Sequence, residues 1–202
     1  MPDKSQFFLI LFLMLGPFKI IGPFVKITKN ADSALTRKIA VRAILYSIVT
    51  LILAAFLGEN ILKNYGIPVP ILALAGGIIL FLVALLNIIS QFKPTEAHQE
   101  VVGTPPLAVA MNPLTFPTIV TPYGIAAVIV FMALSPDLNS KLTVDAMVVG
   151  IMVLNLLIML FAKRIIKPLA MTLAILGAIL GVIQVALGAK IIYNSLTTLL
   201  AS

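Results

Sequence analysis

Six apolar stretches, each about as long as a bilayer is thick, occupy almost all of this 202-residue chain. They run at about Phe7 to Ile27, Ile39 to Leu57, Val69 to Ile89, Pro105 to Leu134, Val144 to Phe161 and Leu169 to Ile192. A helix needs roughly 20 apolar residues to cross the hydrocarbon core, so six crossings with short connections leave no length for a soluble domain. Only 10% of the residues are charged, against roughly 25% in a soluble domain. The expected architecture is therefore all-α, a single polytopic transmembrane domain over residues 1–202. The first apolar run continues past Gly16-Pro17 to Ile27 with no small-residue cleavage site after a short core, so it reads as part of the fold and not as a signal peptide.

The charges are placed as topology signals. Lys26, Lys29, Arg37, Lys38, Arg42, Lys93, Lys163, Arg164 and Lys167 collect on one side of the crossings, while Lys4, Lys63, Lys141 and Lys190 fall on the other. The Lys/Arg-rich side should be cytoplasmic, which puts both termini outside. The net charge of +7 thus needs no nucleic-acid partner, because no basic stripe forms. Cysteine is absent and the single histidine, His98, lies in a polar loop, so disulfides, thiolate metal sites and a histidine-based triad are not expected. No acidic residue lies deep in any stretch. Catalysis needs placed acid, base, nucleophile or metal groups, and an intramembrane enzyme is accordingly not expected.

Stretches one to three begin outside and four to six begin inside, so residues 1–92 and 105–202 form two three-helix units of opposite orientation, an inverted repeat joined by a cytoplasmic loop, 93–104. The first stretch of each unit is the one interrupted by proline: Pro17 and Pro23, then Pro113, Pro117 and Pro122. A mid-helix proline removes a hydrogen bond and clashes with the preceding turn, at a cost of roughly 3 kcal/mol. In lipid such breaks persist only where protein or a wet cavity covers the freed groups. Matching breaks in two halves point to the midplane binding site of a transporter.

Three runs carry a family resemblance. Gly16-Pro17-Phe18-Lys19-Ile20-Ile21-Gly22-Pro23-Phe24-Val25-Lys26-Ile27-Thr28 resembles an Asn-Pro-x-Gly-x-x-Pro-x-Phe-x-x-x-Thr signature, and Gly66-Ile67-Pro68-Val69-Pro70 with Ala75-Gly76-Gly77-Ile78-Ile79-Leu80-Phe81-Leu82 resembles a third helix and its entry loop. Asn112-Pro113-Leu114-Thr115-Phe116-Pro117-Thr118-Ile119-Val120-Thr121-Pro122-Tyr123-Gly124-Ile125 is similar to a Pro-Leu-Ala-Ile-Pro…Gly-Pro-Gly-Ala-Ile run. These are features of the MarC family of six-helix membrane proteins. The resemblance covers nearly the whole chain and implies transport or export of small neutral amino acids across the inner (cytoplasmic) membrane. The sequence departs from the pattern at Gly16, Lys19, Gly22, Thr121 and Tyr123, as a divergent member would.

Broken helices offer free N–H groups and a positive dipole end to a carboxylate, and free carbonyls to an ammonium or Na⁺. The candidate substrate-binding residues are Gly16, Pro17, Gly22, Asn112, Pro113, Thr115, Thr118 and Thr121. The plainer reading is that the Thr and Asn side chains only satisfy carbonyls freed by the prolines. Lys19 lies well inside the first stretch, where a charge marks a functional site by default; it would pair with a substrate carboxylate, pair with a helix, or snorkel to the interface about 12 Å away. Gly76, Gly77, Gly177, Gly181 and Gly188 read as close helix packing, with Gln184 on the same face as the last three; Gln184, Asn155 and Asn87 are expected to hydrogen-bond across helix interfaces. Without a carboxylate or histidine deep in a stretch for proton coupling, Na⁺ is the candidate coupling ion, the alternatives being a facilitated leak or Glu59, near a helix end, as a gate or proton acceptor; no metal or other cofactor is expected. The partners are then the lipid bilayer and a small-molecule substrate, with homo-oligomer formation left open. The rival functions are a non-transporting assembly protein using the glycine face of stretch six, and an exporter of another small molecule such as a drug, which a wide apolar cavity would favour.

Overall fold

The computed structural model describes residues 4–90, 104–135 and 137–201. Most of the connecting loop, with Lys93 and His98, lies outside the described residues. Every regular element among the described residues is helical: α1 (Lys4–Leu15), a 3-10 turn (Pro17–Lys19), α2 (Ile21–Ile27), α3 (Ser33–Asn64), α4 (Val69–Ser90), a 3-10 turn (Leu107–Ala110), a wide turn (Met111–Ile119), α5 (Pro122–Ala133) and α6 (Leu138–Leu200). Five stretches are long and apolar enough to cross a membrane, and the wide turn and α5, bent 64° from one another, make a sixth when counted as one span.

Sequence chemistry sets the boundaries. Asp32 precedes α3 and accepts from the Leu35 backbone N–H at 2.7 Å, and Asp137 precedes α6 and accepts from the Ser140 backbone N–H at 3.1 Å and its hydroxyl at 2.7 Å. These bonds hold the Asp137 carboxyl below the ordinary carboxylate range. Prolines set the breaks by forcing the preceding residue out of the helical region. Gly16 (ψ 172°), Asn112 (ψ 121°), Phe116 (ψ 130°) and Thr121 (ψ 152°) are all extended, and each is followed by proline.

The helices run past the apolar stretches at several ends, and two of the differences bear on the packing. α3 extends seven residues beyond Leu57 to Asn64, because Glu59 near its end is not left to solvent. Its carboxylate pairs with Lys141 at the start of α6, at 2.6 and 2.8 Å, and Glu59 is only 6% exposed. Stretches five and six belong to one helical element, α6, and that element folds back on itself. Asn155 and Gln184 are 29 residues apart, about 43 Å along a straight helix, yet they donate to the carbonyls of Leu15 and Leu13. The reversal lies between the spans Leu138–Arg164 and Ile175–Leu200.

The second arm of α6 runs antiparallel along α4. A Cβ on Gly77 would meet Ile191, one on Gly188 would lie 2.8–2.9 Å from the backbone and Cβ of Phe81, and one on Gly181 would lie 3.2 Å from Ile88. Small residues thus let the two helices approach backbone to side chain, the usual association mode where lipid tails remove the hydrophobic drive. A Cβ on Gly76 would lie 2.9 Å from Ala126 of α5, whereas one on Gly177 would meet nothing within 4 Å among the described residues. The core gathers Leu11, Met14 and Leu15 of α1, Ile39 and Leu51 of α3, Val128 and Met132 of α5, and Ile151 and Met152 of α6. Outward positions are apolar too, including Leu45, Val49 and Leu53 on α3 and Ile175, Ile179 and Val182 on α6. Such a continuous apolar surface belongs in lipid.

The basic helix ends share one end of the bundle. Lys163 donates to the Ala31 carbonyl at 2.9 Å and the Thr36 hydroxyl at 3.1 Å, joining α6 to the turn before α3 and its first residues. The Glu59–Lys141 pair closes the other end. Gly188→Val should lower thermal stability by about 1–3 kcal/mol, since the branched side chain meets backbone that cannot rotate away. Gly177→Ala should leave it unchanged, and melting of the two purified variants checks both.

Candidate functional site

A helix that stops leaves the carbonyls of its last turn without backbone donors. α1 stops at Leu15 because Gly16 is extended and Pro17 has no N–H. Gly16 is required here: a Cβ would lie 2.1 Å from the Phe12 carbonyl oxygen. Three consecutive carbonyls then find side chains. Gln184 donates to Leu13 O at 2.8 Å, Lys19 to Met14 O, and Asn155 to Leu15 O at 2.8 Å. Two of these donors come from the two arms of α6, so the break in the first span is held by the fold-back of the last helix.

The second break is satisfied mainly from within. Thr115 places its hydroxyl between Ala110 O at 2.7 Å and Ala43 O of α3 at 3.1 Å. Thr118 donates to Pro113 O at 2.8 Å, the Val120 N–H to Thr115 O at 2.8 Å, and Thr121 caps α5 by accepting from Gly124 N–H at 3.2 Å. Ile119 O, at the end of the wide turn, accepts from Lys19 at 3.3 Å.

The two breaks cross. A Cβ on Gly124 would lie 2.7 Å from Leu15 Cδ2, and the Lys19 ammonium stands 5.4 Å from the centroid of the buried Tyr123 ring. Gly16, Pro17, Lys19 and Thr121 are therefore brought to one junction. Thr115 is buried beside it, tied to α3, while Thr118 is half-buried and Asn112, Pro113 and Gly22 are exposed. Lys19 neither snorkels nor meets a carboxylate among the described residues; it spans the breaks.

Cavities flank the junction. One of about 230 Å³ runs from Tyr123 to Leu134 along α5, walled by Met14, Gly76, Gly77 and Asn194, and is almost wholly apolar. The other, about 120 Å³, is lined by Gly16, Phe18, Lys19, Gly177, Gly181 and Gln184 and is more polar. Tyr123 lines the first and Lys19 the second, so this pair stands between them.

Sequence reasoning passed over Tyr123 as no more than a departure from a motif glycine, and gave Gln184 and Asn155 only a helix-to-helix role. The signal for the latter two was a lone amide in an otherwise apolar span. Such a group needs a partner, and in lipid the partner is a freed carbonyl. Asn155 is 1% exposed, and its buried Oδ1 has no partner among the described residues.

The chain matches the family model described as MarC family integral membrane protein over residues 3–200. It is 26% identical to a UPF0056 membrane protein of Methanocaldococcus jannaschii over 95% of this chain and 96% of that protein. It is 30% identical to UPF0056 membrane protein YhcE of Escherichia coli over 54% of this chain and 55% of that one. With the inner membrane protein MarC of Salmonella typhimurium it shares 25% identity over 59% of this chain and 57% of that protein. No solved structure matches.

Asn155→Ala should cost about 1–3 kcal/mol, the penalty for leaving the Leu15 carbonyl buried and unpaired. Gln184→Ala, at a half-buried site, should cost less. Thermal melts of both variants in one detergent test this order.

Proposed function

We propose that this chain, which belongs to the MarC family of integral membrane proteins, is a secondary transporter or exporter of small neutral amino acids that works by alternating access. The observation that carries the reading is the crossing of two Pro-broken spans, bridged by Lys19 from Met14 O to Ile119 O, with a cavity on either side. Broken helices at a midplane crossing present the dipole ends that a zwitterion needs. The broken spans are the leading elements of residues 1–92 and 105–202, and an inverted repeat accounts for that placement. In this reading the halves rock about the crossing, and Lys19 with Tyr123 forms the barrier between the cavities. The Lys/Arg-rich end faces the cytoplasm and both termini face outward across the inner membrane. Where flux is coupled to an ion, Na⁺ suits the carbonyl and hydroxyl oxygens at the breaks.

A second reading is favoured by the larger cavity. Its apolar walls fit an apolar cargo better than a zwitterion, and an exporter of small apolar molecules would use it directly.

Proteoliposomes containing the purified protein, given a panel of radiolabelled amino acids with and without a Na⁺ gradient, separate these readings. The expected result is saturable flux of glycine, alanine or serine. It should be lost in Gly124→Leu, which wedges the crossing, and kept in Gly150→Ala, where nothing lies within 4 Å of the new methyl. Asn112→Ala with Thr118→Ala reports whether the exposed wide turn also holds cargo. No amino-acid flux under either gradient, together with flux of an apolar dye, would replace the first reading with the second.

A further inference from the structure

The carbonyls at the breaks are capped in two chemically different ways. Leu13 O and Leu15 O are met by the neutral amides of Gln184 and Asn155, and Ala110 O and Pro113 O by the neutral hydroxyls of Thr115 and Thr118. Met14 O and Ile119 O share one donor as Ala110 O and Ala43 O share Thr115, but here that donor is a lysine. A neutral side chain would satisfy a carbonyl at far lower cost in a membrane span than an ammonium does. What distinguishes this pair is its geometry. Two carbonyl oxygens from different halves of the chain converge, and the face of Tyr123 lies 5.4 Å from the nitrogen. Carbonyl dipoles and an aromatic face together make an environment for a cation.

We infer that the Met14 and Ile119 carbonyls with the Tyr123 ring form a binding site for an ammonium-type cation, and that Lys19 is its tethered occupant, standing where a free coupling cation would otherwise sit. The tether is short, since Lys19 lies five residues from Met14 in sequence, and it joins the halves as a bound ion would. Lysine carries three donors and two go to carbonyls. Lys19 also lines the 120 Å³ cavity, whose walls at Gly16, Gly177 and Gly181 carry no side chain. That cavity gives a small cation a way in once the lysine stem is removed. The consequence for coupling rests on the transporter reading: this site takes up no Na⁺ during the cycle. The occupancy itself needs no cargo.

The test is chemical rescue of the full-length protein in detergent, read as a melting midpoint. The wild type should melt at the same temperature in methylammonium chloride as in an equal concentration of choline chloride, because its site is already filled. Lys19→Ala should melt about 5 °C or more lower, having lost a donor to two buried carbonyls. Methylammonium chloride should restore at least half of that difference, and choline chloride, whose quaternary nitrogen has no N–H, should restore none. Lys19→Met, which keeps the stem and fills the cavity, should also melt low and should not respond to methylammonium. A Lys19→Ala variant that methylammonium stabilises no more than choline does would overturn the inference, as would a Lys19→Met variant as stable as the wild type. If Lys19→Ala does not fold in NaCl, recovery of folded protein by purification in methylammonium supports the site, and failure to recover it counts against the site. No transported substrate enters this test, so absence of amino-acid flux leaves its outcome standing.

Discussion

The carbonyls of Leu13, Met14 and Leu15 set the terms for much of the bundle. A bilayer offers no water to a freed backbone oxygen, so each must be met by protein. Pro17 and the extended Gly16 free them together, and the donors that answer are Gln184, Lys19 and Asn155. Two of these sit 29 residues apart on α6, and both can reach the same turn of α1 only because α6 reverses between them. The break in the first span and the hairpin at the end of the chain are therefore parts of one arrangement.

That arrangement distributes roles among the spans. The first arm of α6 and α3 are tied by Glu59–Lys141 at one end and by Lys163 with Ala31 and Thr36 at the other. The second arm is largely lipid-exposed and is held to α4 by a glycine seam. Between them the two broken spans meet where Gly124 lets Leu15 approach, with Met14, Ile119 and Tyr123 buried around the crossing.

The candidate residues divide according to what the backbone asked of them. Thr115, Thr118 and Thr121 were attractive because hydroxyls near a break suit a polar ligand, yet each is engaged with a neighbouring backbone group. Lys19 was the residue with the most competing explanations, and its two acceptors, carbonyls of two different broken spans, make it a pairing between helices. Tyr123 gained a role only from its ring facing that ammonium.

The all-helical fold and the apolar stretches that make its five or six candidate spans were legible in the chain, because hydropathy over 20 residues is a local property. The family was legible for the same reason, through contiguous motifs around Pro17, Gly76 and Pro113. The partners were not. Whether Gln184 faces a helix or a freed carbonyl, whether Glu59 is solvated or paired with a lysine 82 residues away, and whether Gly177 or Gly188 meets a neighbour all depend on which spans become adjacent. Adjacency in lipid is decided by satisfying every backbone group and by fitting small residues against one another across the whole bundle, and no stretch of sequence contains both sides of such a contact.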